Sequence, residues 1–122
     1  MPSIITVGGI FIPFFGGFMT KIEELYYQDE LIGFIVEGHA NYSIPGRDIV
    51  CAAITILTIN TINSLCELAG VDPEVKENDA YIEYQIPGKV SIITHTLLKA
   101  AQIGYKSIAE QYPENVTFIE RR

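Results

Sequence analysis

From Ile49 to Cys66 the chain runs eighteen residues without a charged side chain, and Asp48 stands immediately before that run. A stretch of this length, rising ~1.5 Å per residue as a helix, can cross a membrane or the core of a small domain. Thr55, Thr58, Asn60, Thr61, Asn63 and Ser64 break it with polar groups that make a poor membrane span. The run therefore predicts a helix buried on most of its surface by a sheet, with no membrane partner. Asp48 is its expected N-cap, and Ala69-Gly70 its expected stop.

A helix of that kind needs a sheet, and the flanking sequence supplies the strands. Ile22–Tyr27 and Leu31–Glu37 read as two strands joined by a turn at Gln28-Asp29-Glu30. In the second, Ile32, Phe34 and Val36 alternate with Gly33, Ile35 and Glu37. Gly38-His39-Ala40 ends it, and Asn41, Tyr42, Ser43, Ile44, Pro45, Gly46 and Arg47 read as a loop. Beyond the charge-free helix, Val75-Lys76 and Ala80–Ile86 form a hairpin turning at Asn78-Asp79. A second helix is expected over Lys89–Tyr112, with an apolar stripe of Val90, Ile93, Leu97, Ala101, Tyr105, Ile108 and Tyr112. Pro113 stops it, and Val116 and Phe118 suggest a last short strand. The order is strand-strand-helix-strand-strand-helix-strand. That order predicts an α+β two-layer sandwich, with two helices on one face of a mostly antiparallel sheet.

Length and charge narrow the class. At 122 residues and 48% hydrophobic composition, the chain fits one domain with its own core. A formal net charge of -7 argues against direct nucleic-acid binding, which favours a basic surface. The first charged residue is Lys21. Residues 1–18 are Gly- and Phe-rich and carry no positive n-region, so they do not read as a signal peptide. They are expected to be a flexible extension, or the product of a start placed ahead of Met19, with residues 19–122 forming the domain.

The only cysteines are Cys51 and Cys66. Fifteen positions apart in one helix, they lie roughly 22 Å apart and cannot pair within one chain. Free thiols point to a reducing, cytoplasmic setting, and two distant Cys with two His give no metal site. If Asp48 caps the helix, Cys51 lies in the first turn, where unpaired N–H groups and the dipole favour a thiolate. It reads equally as a small buried hydrophobe. Cys66, near the other end of the same helix, reads as structural. His39 ends a strand twelve residues before Cys51; alone it reads as a surface histidine, but an imidazole beside the thiol would serve covalent acyl transfer. His95 falls off the apolar stripe and is expected to face water. Thr55 follows Cys51 at i+4, one turn below the sulfur. It is available to hold the thiolate or His39, or to bond back to a carbonyl. Asp48 is a cap first and a partner for His39 only second.

These residues carry a resemblance. Gly38-His39-Ala40 followed by Gly46-Arg47-Asp48-Ile49-Val50-Cys51-Ala52-Ala53 resembles the two-part signature of the ribosomal-processing cysteine protease Prp family. Thr55 stands where that family usually has Ser or Thr. Ile59–Leu65 and the Tyr112-Pro113 that ends the last helix are also similar. The similarity runs from about Met19 to the C-terminus; residues 1–18 have no counterpart.

The resemblance implies a cysteine endopeptidase with His39 and Cys51 as its dyad, Asp48 and Thr55 in support, and no cofactor. It implies a substrate: the N-terminal peptide of a large-subunit ribosomal protein, cut after a Phe-Phe pair and before a small residue. A phage scaffold or capsid protein is the alternative substrate. It also implies a homodimer and a mobile, substrate-covering loop, here residues 41–47, with Gly46 as hinge. Phe14-Phe15-Gly16 has the pattern of such a cut site within this chain. The competing expectation is a non-catalytic α+β module that binds ribosomal or phage assembly proteins, with Cys51 merely buried.

Overall fold

The strands begin where the sequence starts to alternate, and in the computed structural model, which describes residues 19–38 and 47–121, that point is Thr20. Strand β1 spans Thr20–Tyr27 and β2 spans Glu30–Gly38. Gln28 and Asp29 both take positive φ, 52° and 68°, as a two-residue hairpin turn of the primed type requires. Opposite Leu25 and Tyr26 the register skips Ile32, a β-bulge. Expected alternation placed Ile32 with Phe34 and Val36. The bulge shifts the phase instead, so Leu31 is buried with them and Ile32 is not.

Helix α1 spans Arg47–Leu68, β3 Glu74–Asn78, β4 Tyr81–Gln85, α2 Ile92–Gln111 and β5 Val116–Ile119. The five strands lie in the order β3-β4-β2-β1-β5. Only the β1–β5 pair is parallel. Ile22, Phe34, Val36, Ile82 and Tyr84 share one buried cluster with Ile54, Ile62 and Leu65 of α1 and Leu98, Ala101 and Tyr105 of α2. The fold is the expected α+β arrangement, with both helices packed on the same sheet face.

The second helix differs from expectation in start and phase. Ser91, not Lys89, opens it: its side chain accepts from the Thr94 N–H, as an N-cap does. The buried face is Thr94, Leu98, Ala101, Gln102 and Tyr105, whereas Ile93 is 53% exposed. Two polar residues enter the core because each finds a partner there: Thr94 bonds to Ser91, and the Gln102 amide donates to the buried Glu24 carboxylate at 2.5 Å.

Helix α1 ends as expected, with Gly70 at φ +68° and the Val71 N–H returning to the Leu65 carbonyl at 3.2 Å. It is buried on one side only. Val50, Ile54, Thr58, Thr61, Ile62 and Leu65 face the core, while Ile49 and Ile56 stand 63% and 65% exposed. The expected burial over most of its surface is thus corrected to a single face, although by length and composition the helix still passes for a membrane span.

Chain direction sets which elements share an end of the sheet. After α1, five residues lead to Glu74, which pairs with Gln85, itself opposite Gly33 of β2. Helix α1 therefore runs back along β2, and its first turn sits at the Gly38 end. Thr20 pairs with Gly38 there, and the Gly38 N–H donates to the Ala80 carbonyl in the β3–β4 turn.

Candidate active site

Two elements converge on this end of the sheet. Strand β2 finishes at Gly38, so it delivers the chain to position 39, and α1 starts its descent at Arg47. His39 and loop positions Asn41, Tyr42, Ser43, Ile44, Pro45 and Gly46 lie outside the described residues. Arg47, expected as the last loop residue, is instead the first residue of α1.

That earlier start corrects two expectations. Asp48 is the second helical residue rather than the N-cap, and Cys51 is the fifth rather than the third. In an α-helix the fifth residue's N–H bonds back to the first residue's carbonyl, so the N–H of Cys51 belongs to the ladder. The N–H groups of residues 47–49 have no carbonyl partner within the helix itself. The side chain of Cys51 still relates to them, because the Cα–Cβ bond of a helical residue tilts towards the N-terminus. A sulfur at the fifth position therefore leans over the first turn and its dipole.

Cys51 is 9% exposed and packs in the core cluster beside Val50 and Ile54. Neither cysteine is in a disulfide. One turn below Cys51, the Thr55 hydroxyl is buried and has no hydrogen-bond partner among the described residues. One turn further, the Thr58 hydroxyl lies 2.7 Å from the Tyr105 hydroxyl, which lies 2.9 Å from that of Tyr84. The hydroxyls of this helix face thus divide. Thr58 is committed to a buried network joining α1, α2 and β4, and Thr55 has no partner among the described residues. Position in the helix predicted that the two share a face with Cys51; only the packing separates their roles.

The controls behave differently. Burial, and then the Asp72 carboxylate, push the Cys66 thiol above its ordinary range. That environment disfavours the thiolate. His95 lies half exposed at the far end of the sheet, 3.7 Å from the Glu30 carboxylate.

The chain as a whole is similar to known proteins. The family described as Cysteine protease Prp matches residues 19–117. The ribosomal processing cysteine protease Prp of Bacillus subtilis is 25% identical over 92 residues, covering 70% of this chain and 82% of that protein. The protein of the same name from Staphylococcus aureus is 27% identical over 95 residues, covering 73% and 86%. A solved Streptococcus mutans structure superposes with a TM-score of 0.75 at 28% identity, covering 84% of this chain and 93% of that one. The S. aureus ribosomal processing protease Prp, solved with a substrate peptide, superposes at 0.77 and 18% identity, covering 84% and 100%, a likeness of fold. The matched span takes in every described strand and helix apart from the last residues of β5, and by it this chain belongs to the cysteine protease Prp family.

Proposed function

We propose that this cysteine protease removes a short N-terminal extension from a large-subunit ribosomal protein, cutting after a Phe-Phe pair, with Cys51 as nucleophile and His39 as general base. One observation carries the assignment of the site. Cys51 lies near the start of α1 at the sheet end where β2 leads into position 39, and a hydroxyl without a partner among the described residues, Thr55, lies one turn below it. The relatives in B. subtilis and S. aureus are named as ribosomal processing proteases, which supports the substrate class.

The chemistry is acyl transfer. His39 takes the thiol proton, and the Cys51 sulfur attacks the scissile carbonyl carbon. Negative charge develops on the carbonyl oxygen, and the N–H groups of residues 47–49, without a carbonyl partner in the helix, are the nearest ready donors for it. His39 then protonates the leaving amine, and the acyl-enzyme forms. Water, deprotonated by His39, releases the new carboxylate and restores the thiol. Thr55 orients the imidazole or the sulfur. Asp48, now within the first turn, keeps only a supporting role. The segment Asn41–Gly46 covers the bound peptide. The protein acts as a homodimer in the cytoplasm, where thiols stay reduced.

The test is incubation with the unprocessed ribosomal protein of the same organism, followed by mass spectrometry. Wild type should cut after Phe-Phe, and Cys51→Ala and His39→Ala should not. Cutting by Cys51→Ala overturns the nucleophile. A wild type that leaves the ribosomal protein intact but cuts another overturns the substrate.

A further inference from the structure

Strand β1 turns Thr20, Ile22, Glu24 and Tyr26 towards the helices, and Glu24 is the one carboxylate in that row. It is 2% exposed, and the chemistry at Cys51 does not use it. Both of its oxygens accept hydrogen bonds, Oε2 from the Gln102 amide at 2.5 Å and Oε1 from the Arg121 backbone N–H at 3.1 Å. Both donors are neutral. Glu24 pairs with no Lys, Arg or His among the described residues. A carboxylate buried this deeply is ordinarily matched by a cation, because taking a charge out of water is costly.

Glu24 lines a cleft of about 360 Å³ between the β1–β2 hairpin, α2 and the residue after β5, a volume that suits a small ligand. Asp29, Glu30 and Glu120 stand around the same cleft with Lys99 and Lys106. Lys106 is held by Glu120 at 2.5 Å, and Glu24 acts on it only through space. With His95 neutral, four carboxylates against two ammonium groups leave the lining two net negative charges. The neighbouring cleft, beside Tyr27, Ile32 and Lys89, has no buried polar side chain in its wall.

The carboxylates are too widely spread for a single ion. No group of three His, Cys, Asp or Glu among the described residues could hold a metal. Three residues of β1 separate Glu24 from Tyr27, where the turn begins, about 10 Å along the strand. Tyr26 and Leu31 line the cleft between those ends and offer apolar surface to an alkyl chain. We propose that this cleft binds a linear aliphatic polyamine, with one ammonium group against Glu24, the alkyl chain past Tyr26 and Leu31, and a second ammonium group between Asp29 and Glu30. The site lies towards the hairpin end of the sheet, away from the first turn of α1, and does not depend on Cys51 being the nucleophile.

Calorimetric titration of spermidine into the full chain tests it, at about 0.15 M salt so that exposed charges are largely screened. One molecule should bind per chain, and the melting temperature should rise with spermidine concentration. Glu24→Gln keeps the side chain's shape and an acceptor for Gln102, and should weaken binding about tenfold or more. Should that variant not fold, Asp29→Asn with Glu30→Gln, both at the exposed turn, should weaken binding about fivefold. Glu74→Gln with Glu77→Gln, on exposed β3 outside this cleft, should leave Kd unchanged. Equal weakening by the two pairs would mean that spermidine only follows the net charge of -7, and overturns the proposal. Binding of N-acetyl-lysine methylamide as tight as that of spermidine also overturns it, in favour of a lysine side chain from another protein. So does the absence of both binding heat and a melting shift.

Discussion

The Thr58 hydroxyl of α1 and the Tyr105 hydroxyl of α2 lie 2.7 Å apart in the core, 47 residues apart in sequence. With the Tyr84 hydroxyl 2.9 Å beyond, they tie both helices to β4 below the candidate nucleophile. Phe34 packs edge-on against the same Tyr105 ring, centroids 4.9 Å apart. Removing only the Tyr105 hydroxyl, as Tyr105→Phe, leaves two buried hydroxyls each short of a partner. The expected loss is about 1–3 kcal/mol of stability, read as a lower urea midpoint with an unchanged slope. Activity per folded molecule should be near that of wild type.

The same network sets a limit at high pH. Burial raises the Tyr84 hydroxyl well above its ordinary value and pushes Tyr105 up to about 12. In the unfolded chain both ionise near pH ~10. Between those values the unfolded state binds fewer protons than the native one, so stability falls as pH rises. The contribution is fully present below pH ~10 and lost on approach to pH ~12. Phenolate absorbance for these two residues should therefore appear together with loss of helical signal. Free titration near pH ~10 in a folded protein would contradict it.

The two cysteines should separate by reactivity. Cys66 is held above its ordinary range by burial and Asp72, so it should alkylate slowly near neutral pH, and Cys66→Ser should keep activity. Alkylation of Cys51 should run in step with loss of turnover. Peptide mapping after partial labelling checks both, and preferential labelling of Cys66 would count against Cys51 as the thiolate.

Thr55 allows stability and catalysis to be separated. Its hydroxyl is buried without a partner among the described residues, so Thr55→Val removes a polar group that those residues do not satisfy. Stability should stay level or rise by about 1 kcal/mol, while kcat falls roughly tenfold from lost positioning. Thr55→Ser should restore kcat. Full turnover by the Val variant would show that the hydroxyl serves no step.

Gly33 is where two backbones meet. A Cβ there would lie 1.9 Å from the Tyr84 carbonyl oxygen and 2.7 Å from the Gln85 Cα. Neither can move without opening the β2–β4 ladder. Gly33→Ala should cost about 3 kcal/mol or more, seen as a lower melting temperature or as insoluble protein. A variant as stable as wild type would mean that the strands part more readily than their pairing indicates.

Much of the fold is legible in the chain because it is local. Alternation, the turn at Gln28-Asp29, the charge-free helix and its end at Gly70 are all decided by residues within a few positions of one another. The candidate site is legible as a motif: Cys51, with Thr55 one turn on, follows a strand that ends at Gly38. Contacts between distant residues decided the rest. Gln102 is buried where the carboxylate of Glu24, 78 residues away, accepts a hydrogen bond from its amide, on the same face of α2 as Thr94 and Leu98 and away from Ile93. The skipped residue at Ile32 follows from pairing with β1. Thr58 and Thr55 look alike in sequence; Tyr105 commits one and leaves the other without a described partner. Local pattern names the elements and the reactive groups, because propensity and periodicity act over a few residues. Tertiary packing alone decides which faces are buried and which polar groups are satisfied, because those depend on partners the chain meets only once folded.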